Sequence, residues 1–355
     1  MVLIGFYLPG RGEILQTHRW RVPSLDLDLK ESWRQILDQG SSRSAIIFGG
    51  SGFIGTHLTE ELESQGFAVT IADLVPPNRK TLTFLLCDVR NEVNLNLNSR
   101  PEIVFNLAAV HRTPGHAAAE YYETNVNGAE NITRWATDNA IKKVIFTSSI
   151  SIYGPNENLL DENTTPAPIS DYGKSKLMAE EIHRQWQNED PQNRSLVICR
   201  PAVVFGRGEQ GNFTRLAKAL KGRYFFFPGG RETRKASGYV KDATRSLIFF
   251  AEKDLRQIVY NFSFPRNYTI GEICDTFCSI SKYAKPISIP VTQVGKALSK
   301  VGGPLGSLGQ RLLKLVFPTN IAPAKLQEFG FTWKYDLESA LNDWNLESKF
   351  DQKTN

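Results

Sequence analysis

Two rhythms of apolar and polar positions alternate along most of this chain. Short apolar runs recur at 45–48, 68–72, 82–86, 102–107, 143–147 and 195–199. Their length and β-branching predict buried strands. Between them, apolar residues three or four apart predict helices near 53–66, 116–139 and 170–188. Such alternation implies a parallel sheet covered by helices on both faces. The predicted fold class is α/β: a doubly wound parallel sheet with a smaller, mainly C-terminal α/β lobe. Residues 45–200 are expected to form the sheet domain, with 239–265 returning to it. The second lobe would take 201–238 and 266–350. Residues 1–44 precede the first strand as an extension with no assigned role, carrying a turn at Pro9-Gly10 and a short helix from Leu29 to Leu37.

The first strand runs into Gly49-Gly50-Ser51-Gly52-Phe53-Ile54-Gly55, and a helical pattern follows at once. Strand, glycine turn and helix are the context of a Rossmann-type dinucleotide site. Gly50 and Gly52 let the backbone turn and approach a pyrophosphate, and Gly55 lets the helix pack close to the strand. The helix N-terminus offers unpaired N–H groups to the phosphate charge. Asp73 ends the second strand, where a carboxylate binds the adenosine ribose hydroxyls. Asp88 follows the third strand at the ligand-binding edge of the sheet, and small residues in Asn106-Leu107-Ala108-Ala109 admit a cofactor beside the fourth.

The fifth strand ends in Thr147-Ser148-Ser149-Ile150-Ser151, an unusual density of hydroxyls. The next helix carries Tyr172 and Lys176, four apart and so on one face. For a tyrosine to act as a base near neutrality its pKa must fall by about three units, or roughly 4 kcal/mol. One cation about 4 Å away supplies about that at an effective dielectric near 20. Lys176 and a positively charged nicotinamide ring are the expected sources.

Composition narrows the partners. The 355 residues carry a net charge of +5, with 41% hydrophobic and 22% charged residues, ordinary values for a globular protein. Lysine and arginine are scattered, without a basic block or an aromatic platform, so no nucleic-acid partner is expected. The four cysteines, Cys87, Cys199, Cys274 and Cys278, show no metal-binding or disulfide spacing, and Cys274 and Cys278, four apart on an expected helix, read as core thiols. No apolar run is long enough to span a membrane. The first residues lack a basic leader, so a cytoplasmic location is expected.

Together, these motifs resemble the extended short-chain dehydrogenase/reductase superfamily, and more closely its NAD-dependent nucleotide-sugar epimerases and dehydratases. The likeness runs from about 45 to about 345. It rests on the glycine turn, Asp73, Asp88, Asn106 to Ala109, Asn125, Thr147-Ser148-Ser149, Tyr172 with Lys176, and Cys199-Arg200-Pro201-Ala202-Val203-Val204-Phe205-Gly206. The resemblance implies NAD as cofactor, held by Gly49, Gly52, Phe53, Ile54, Gly55, Asp73, Asp88, Val89, Leu107, Ala108, Ala109, Asn125, Tyr172 and Lys176. Tyr172 would be the acid/base and Lys176 would hold the cofactor ribose. Ser149, with Ser148 as the near alternative, would bond the sugar O4. An acid at Asp73 with no arginine directly after it favours NAD over NADP, although Arg79 and Lys80 follow a little later.

By the same resemblance, the second lobe would bind a nucleotide-diphosphate sugar. Asn212 matches the family's diphosphate-binding asparagine at the start of a helix, and Lys235 stands where these epimerases place a phosphate-binding arginine. Arg207, Arg231 and Arg234 are further cations suited to the diphosphate. Tyr224-Phe225-Phe226-Phe227 would be a strand lining the base pocket. Residues 291–317 read as a lid or helix pair, with a membrane-surface helix as the lesser alternative. Ile150-Ser151 stands where the dehydratases carry an acid pair, which disfavours dehydration. The implied activity is C4 epimerisation of a UDP-hexose or UDP-N-acetylhexosamine by a homodimer. A reductase of a 4-keto nucleotide sugar and a non-catalytic dinucleotide sensor are the rivals.

Overall fold

A computed structural model describes residues 43–111, 116–156, 158–225, 227, 230–286 and 318–348. The expected N-terminal helix and the 291–317 segment lie outside these residues.

Seven parallel strands form the main sheet: β1 (Ser44–Phe48), β2 (Ala68–Asp73), β3 (Thr83–Leu86), β4 (Ile103–Asn106), β5 (Lys143–Thr147), β6 (Ser195–Pro201) and β10 (Gln257–Phe262). Their spatial order is β10-β6-β5-β4-β1-β2-β3. The order reverses between β1 and β4, and the crevice at that switch point, outside the carboxyl ends of the strands, is where such sheets bind ligands. Phe48 pairs in register with both Ala72 and Asn106, so the glycine turn leaves the sheet between the two flanking loops. Ile46, Ile47, Phe48, Val104, Phe105, Val144 and Ile145 are completely buried. Runs with no exposed face are what a sheet covered on both sides requires.

On one side of the sheet lie α1 (Phe53–Ser64) and α6 (Val240–Ala251), sharing a core with Leu58, Leu62, Leu247 and Phe250. A second core, around Phe146, Trp135 and Trp186, covers the other side. It is supplied by α3 (Gly128–Asp138) and α4 (Asp171–Glu189). The single helix expected over 116–139 is broken. A short α2 (Ala118–Tyr122) passes through one wide π-type turn, Glu123–Asn127, into α3. Such turns concentrate at functional sites because they re-aim side chains, and this one carries Asn125.

The C-terminal elements build a separate apolar cluster around Phe205, Phe213, Tyr239, Phe264, Phe277 and Trp344. Contributing to it are β7 (Val203–Phe205), α5 (Asn212–Lys221), β9 (Ser237–Tyr239), β11 (Tyr268–Thr269), α7 (Ile270–Ser281) and α9 (Leu337–Ser348), while β8 (Arg234–Lys235) pairs with β11 and α8 (Ala324–Glu328) packs Leu326 into the core shared by α1 and α6. The strand expected at 224–227 is not formed by its described residues. Phe227 is buried and packs edge-on against Phe225, while Tyr224 is exposed. The apolar run there serves core packing rather than a ladder.

Candidate active site

The glycine turn is a built cradle. Gly49 has φ +78°, and a Cβ there would stand 2.7 Å from the Ala108 amide nitrogen. A Cβ at Gly55 would meet the Gly49 carbonyl oxygen at 2.6 Å. The turn, the start of α1 and the loop after β4 are therefore in backbone contact, which only residues without side chains permit. Asp73 locks this arrangement: its carboxylate accepts the Ser51 N–H at 3.0 Å and the Val75 N–H at 3.3 Å. Phe53 and Ile54 open α1, with the helix N-terminus facing the turn. These features fit a dinucleotide, with the pyrophosphate at the helix N-terminus and the adenosine ribose at Asp73. Arg79, the first arginine after Asp73 in the chain, is ion-paired with Glu63 at 2.6 Å.

Asp88 is held in a forked ion pair by Arg90, at 2.7 Å for the shortest contact, and the pairing holds its carboxyl below the usual range. Val89 is buried against Gly128 and its carbonyl accepts from Asn131. Leu107, Ala108 and Ala109 form the loop beside Gly49, with the Ala108 N–H donated to the Asn106 side chain. Asn125, expected at the cofactor, has another task. Its Oδ1 accepts the Val110 N–H at 2.9 Å, and its Nδ2 donates to the Val110 carbonyl at 3.1 Å and to Ser175 Oγ at 2.9 Å. Both amide hydrogens are committed, so Asn125 shapes the cofactor loop.

On the other side of the switch point, β5 delivers Ser148 and Ser149. Ser149 caps a 3-10 turn, Ile150–Tyr153, accepting the Ser151 N–H and donating to the Ser151 hydroxyl, each at 3.1 Å. α4 starts directly over this turn. Ser170 caps it by accepting the Gly173 N–H, and a Cβ at Gly173 would lie 2.5 Å from the Ser151 carbonyl oxygen. That approach sets Tyr172 against Ser149. Burial pushes the Tyr172 phenol above the ordinary tyrosine range, the facing Ser149 hydroxyl pulls it back, and Tyr121 adds a small upward push. The expected lowering by Lys176 is not among these influences. The Lys176 ammonium is buried and sits 4.4 Å over the Phe146 ring, drawn toward Glu180. Burial lowers its pKa to about 7.

The expected diphosphate ligands do not form one cluster. Arg207 bridges Glu60 on α1 and Glu347 on α9, at 2.7 and 3.5 Å, and ties two helices together instead of facing an anion. Asn212 opens α5, but its Oδ1 accepts from Arg215, and the Glu209 carboxylate takes the Thr214 N–H. That end of the helix already has an anion of its own. Arg234 and Lys235 are consecutive in β8 and so point to opposite faces. Arg234 is exposed and donates to the Asn267 carbonyl, beside a shallow cavity of about 330 Å³ that it shares with Arg231 and Arg266. Arg231 and Arg266 are themselves paired with Asp275 and Glu272. Lys235 is half-buried, and burial lowers it to about 8.

Several buried polar residues escape a motif-based reading. Glu180, His183 and Gln187 continue the buried face of α4 beyond Lys176, and Arg200 lies inside β6. Charged residues recurring on the apolar face of a predicted helix, and an arginine within an apolar strand, were the available signals.

The sheet order, the glycine cradle and the Tyr172–Lys176 face define a dinucleotide-dependent enzyme of the short-chain dehydrogenase/reductase type. The family model described as "NAD dependent epimerase/dehydratase family" matches residues 45–263. Over 321 residues the chain is 30% identical to N-acetyl-alpha-D-glucosaminyl-diphospho-ditrans,octacis-undecaprenol 4-epimerase of Escherichia coli O157:H7, covering 86% of this chain and 95% of that protein. It is 28% identical over 357 residues to UDP-glucose 4-epimerase 4 of Oryza sativa subsp. japonica, covering 87% and 91%. The chain belongs to the NAD-dependent epimerase/dehydratase family. Its fold is shared with MoeE5 in complex with UDP-glucuronic acid and NAD (TM-score 0.68, 23% identity, 86% of this chain and 99% of that one). It is shared equally with the UDP-N-acetylglucosamine 4-epimerase from Bacillus cereus (TM-score 0.68, 18% identity, the same shares).

Proposed function

We propose that this chain is an NAD-dependent 4-epimerase of a nucleotide-diphosphate sugar, a UDP-hexose or UDP-N-acetylhexosamine. The observation that carries this reading is the meeting of Tyr172 and Ser149 at the carboxyl end of β5, beside the dinucleotide cradle. Gly49, Gly52, Phe53, Ile54, Gly55 and Asp73 would hold the cofactor, with Asp88 and Val89 at the adenine and Lys176 at the nicotinamide ribose. When bound, NAD supplies reversible oxidation at C4. Tyr172 takes the proton of the C4 hydroxyl and returns it once the 4-keto sugar has turned in the site. Ser149 holds O4 in line with the phenol, and such positioning contributes much of the rate. Lys235, half-buried, and Arg234, exposed on the opposite face of β8, are the proposed cations for the substrate's diphosphate. Ile150-Ser151 after Ser149 supplies no carboxylate for an elimination.

The near-complete span of the Escherichia coli relative supports a second carrier, a polyprenyl diphosphate, for the same sugar chemistry. Both carriers present a diphosphate to the cations. The test is to incubate purified protein with UDP-glucose, UDP-N-acetylglucosamine and N-acetylglucosaminyl-diphospho-undecaprenol, with no nicotinamide added. C4 epimers from a UDP-sugar support the leading reading, and epimers from the lipid-linked sugar alone transfer it to the second carrier. Turnover only of a keto-sugar with added NAD(P)H would sink both in favour of a reductase. Among the described residues no helix is long and apolar enough to cross a membrane. A homodimer in the cytoplasm completes the proposal, and a solution mass measurement checks the dimer.

A further inference from the structure

Behind the reacting pair lies a buried charge system that the epimerase reading does not use. Tyr172, Lys176 and Glu180 follow at four-residue spacing on one face of α4. The Glu180 side chain is completely buried. Arg200 of β6 grips it through two bonds, Nε to Oε1 at 2.9 Å and Nη2 to Oε2 at 2.8 Å. Arg184 adds a third donor at 3.2 Å. Arg200 Nη1 donates to the Tyr153 hydroxyl at 2.9 Å, which in turn donates to Asn261 Oδ1 at 2.8 Å. Ser148, next to the substrate-facing Ser149, lies buried beside the Glu180 carboxylate, outside hydrogen-bond geometry.

A buried carboxylate gripped this way is weak evidence for stability, since desolvation consumes most of the attraction. Its neighbour supplies a better reason for it. Lys176 is 1% exposed and has no ion-pair partner within 4.0 Å among the described residues. A buried ammonium loses its proton unless an anion acts on it. The titratable groups around it are Tyr172, Glu180 and His183 on its own helix, Arg200 on β6 behind Glu180, Tyr153 on the 3-10 turn behind Arg200, and Tyr121 on α2 against Tyr172. His183 donates from Nδ1 to the Ala179 carbonyl, accepts at Nε2 from the Asn106 amide, and is held neutral by burial. Glu180 is the anion of the group.

We propose that Glu180 is a positioning residue for the reaction: clamped by Arg200 one turn beyond Lys176 on the same face of α4, it keeps the buried Lys176 protonated and so keeps a cation one turn from Tyr172. This rests on the assignment of Tyr172 and Lys176 as the reacting pair. Arg200 fixes the carboxylate in place, and Tyr153 with Asn261 fixes Arg200. The carboxylate thus serves Arg200, Arg184 and Lys176 at once, and its loss leaves the buried Arg200 and Lys176 without that anion.

The test reads Lys176 itself, apart from turnover. Protein labelled with [13Cε]lysine, carrying its retained cofactor, is titrated by NMR, and the Lys176 resonance is assigned by its absence in K176R. In E180Q the Lys176 midpoint falls by at least about one unit. R200M removes the competing cation and raises the midpoint, and it carries the test where E180Q does not fold. A purely structural role lowers thermal stability in these variants and leaves the midpoint in place, which would overturn the proposal. A shifted midpoint in a protein that epimerises no sugar would retain the clamp and refute the epimerase instead.

Discussion

The Asn125 side chain closes on the backbone of Val110 from both sides, taking its N–H at 2.9 Å and donating to its carbonyl at 3.1 Å. This clamp fixes the loop that begins at Leu107 and passes beside Gly49. Removing it leaves part-buried backbone groups without these partners, at a cost of about 1 kcal/mol. Asn125→Ala is therefore expected to lower the melting temperature and to weaken NAD binding at least about tenfold. Calorimetric titration with NAD checks this, and an unchanged affinity in a folded variant would contradict the role given to the loop.

Gly49→Ala probes the cradle more directly. The added Cβ would meet the Ala108 nitrogen at 2.7 Å, on a backbone with φ +78°. Strain at such positions costs on the order of 1–3 kcal/mol. The variant is expected to purify without cofactor, read from its absorbance spectrum, and to melt earlier than the parent. Full cofactor content would show that the loop yields without cost.

His183 gives the fold a pH signature. Burial lowers its pKa to about 4, while the unfolded chain takes the proton near the ordinary value of about 6.5. As pH falls through that window, protonation favours the unfolded state, and stability drops by roughly 3 kcal/mol in all. The full contribution is present above pH of about 6.5. Chemical denaturation at several pH values should show this slope in the parent and a smaller one in His183→Met. Equal slopes would assign the acid sensitivity to another group.

Much of this site could be read from the chain because its parts are local. The glycine turn, Asp73 and the Tyr172–Lys176 spacing each depend on a few adjacent residues and one element of regular structure. Their meeting follows from strand order alone, since β1, β4 and β5 are neighbours in the sheet. Residues whose partners lie far away in sequence are the ones whose contacts the chain does not disclose. Arg207 faces Glu60 and Glu347, which lie far from it in sequence, and so it became a helix tie. Asn125 was re-aimed by a π-type turn that no apolar periodicity announces. Aromatic residues 224–227 carry strand propensity, but packing around Phe227 outweighed it.

The most direct test is Tyr172→Phe. The substitution removes one hydroxyl from the phenol facing Ser149 and leaves the glycine cradle intact. The variant should retain bound NAD and lose more than about 100-fold in C4 epimerisation of a UDP-sugar. Near-parental turnover with NAD in place would contradict the assignment of Tyr172 as the group that moves the C4 hydroxyl proton.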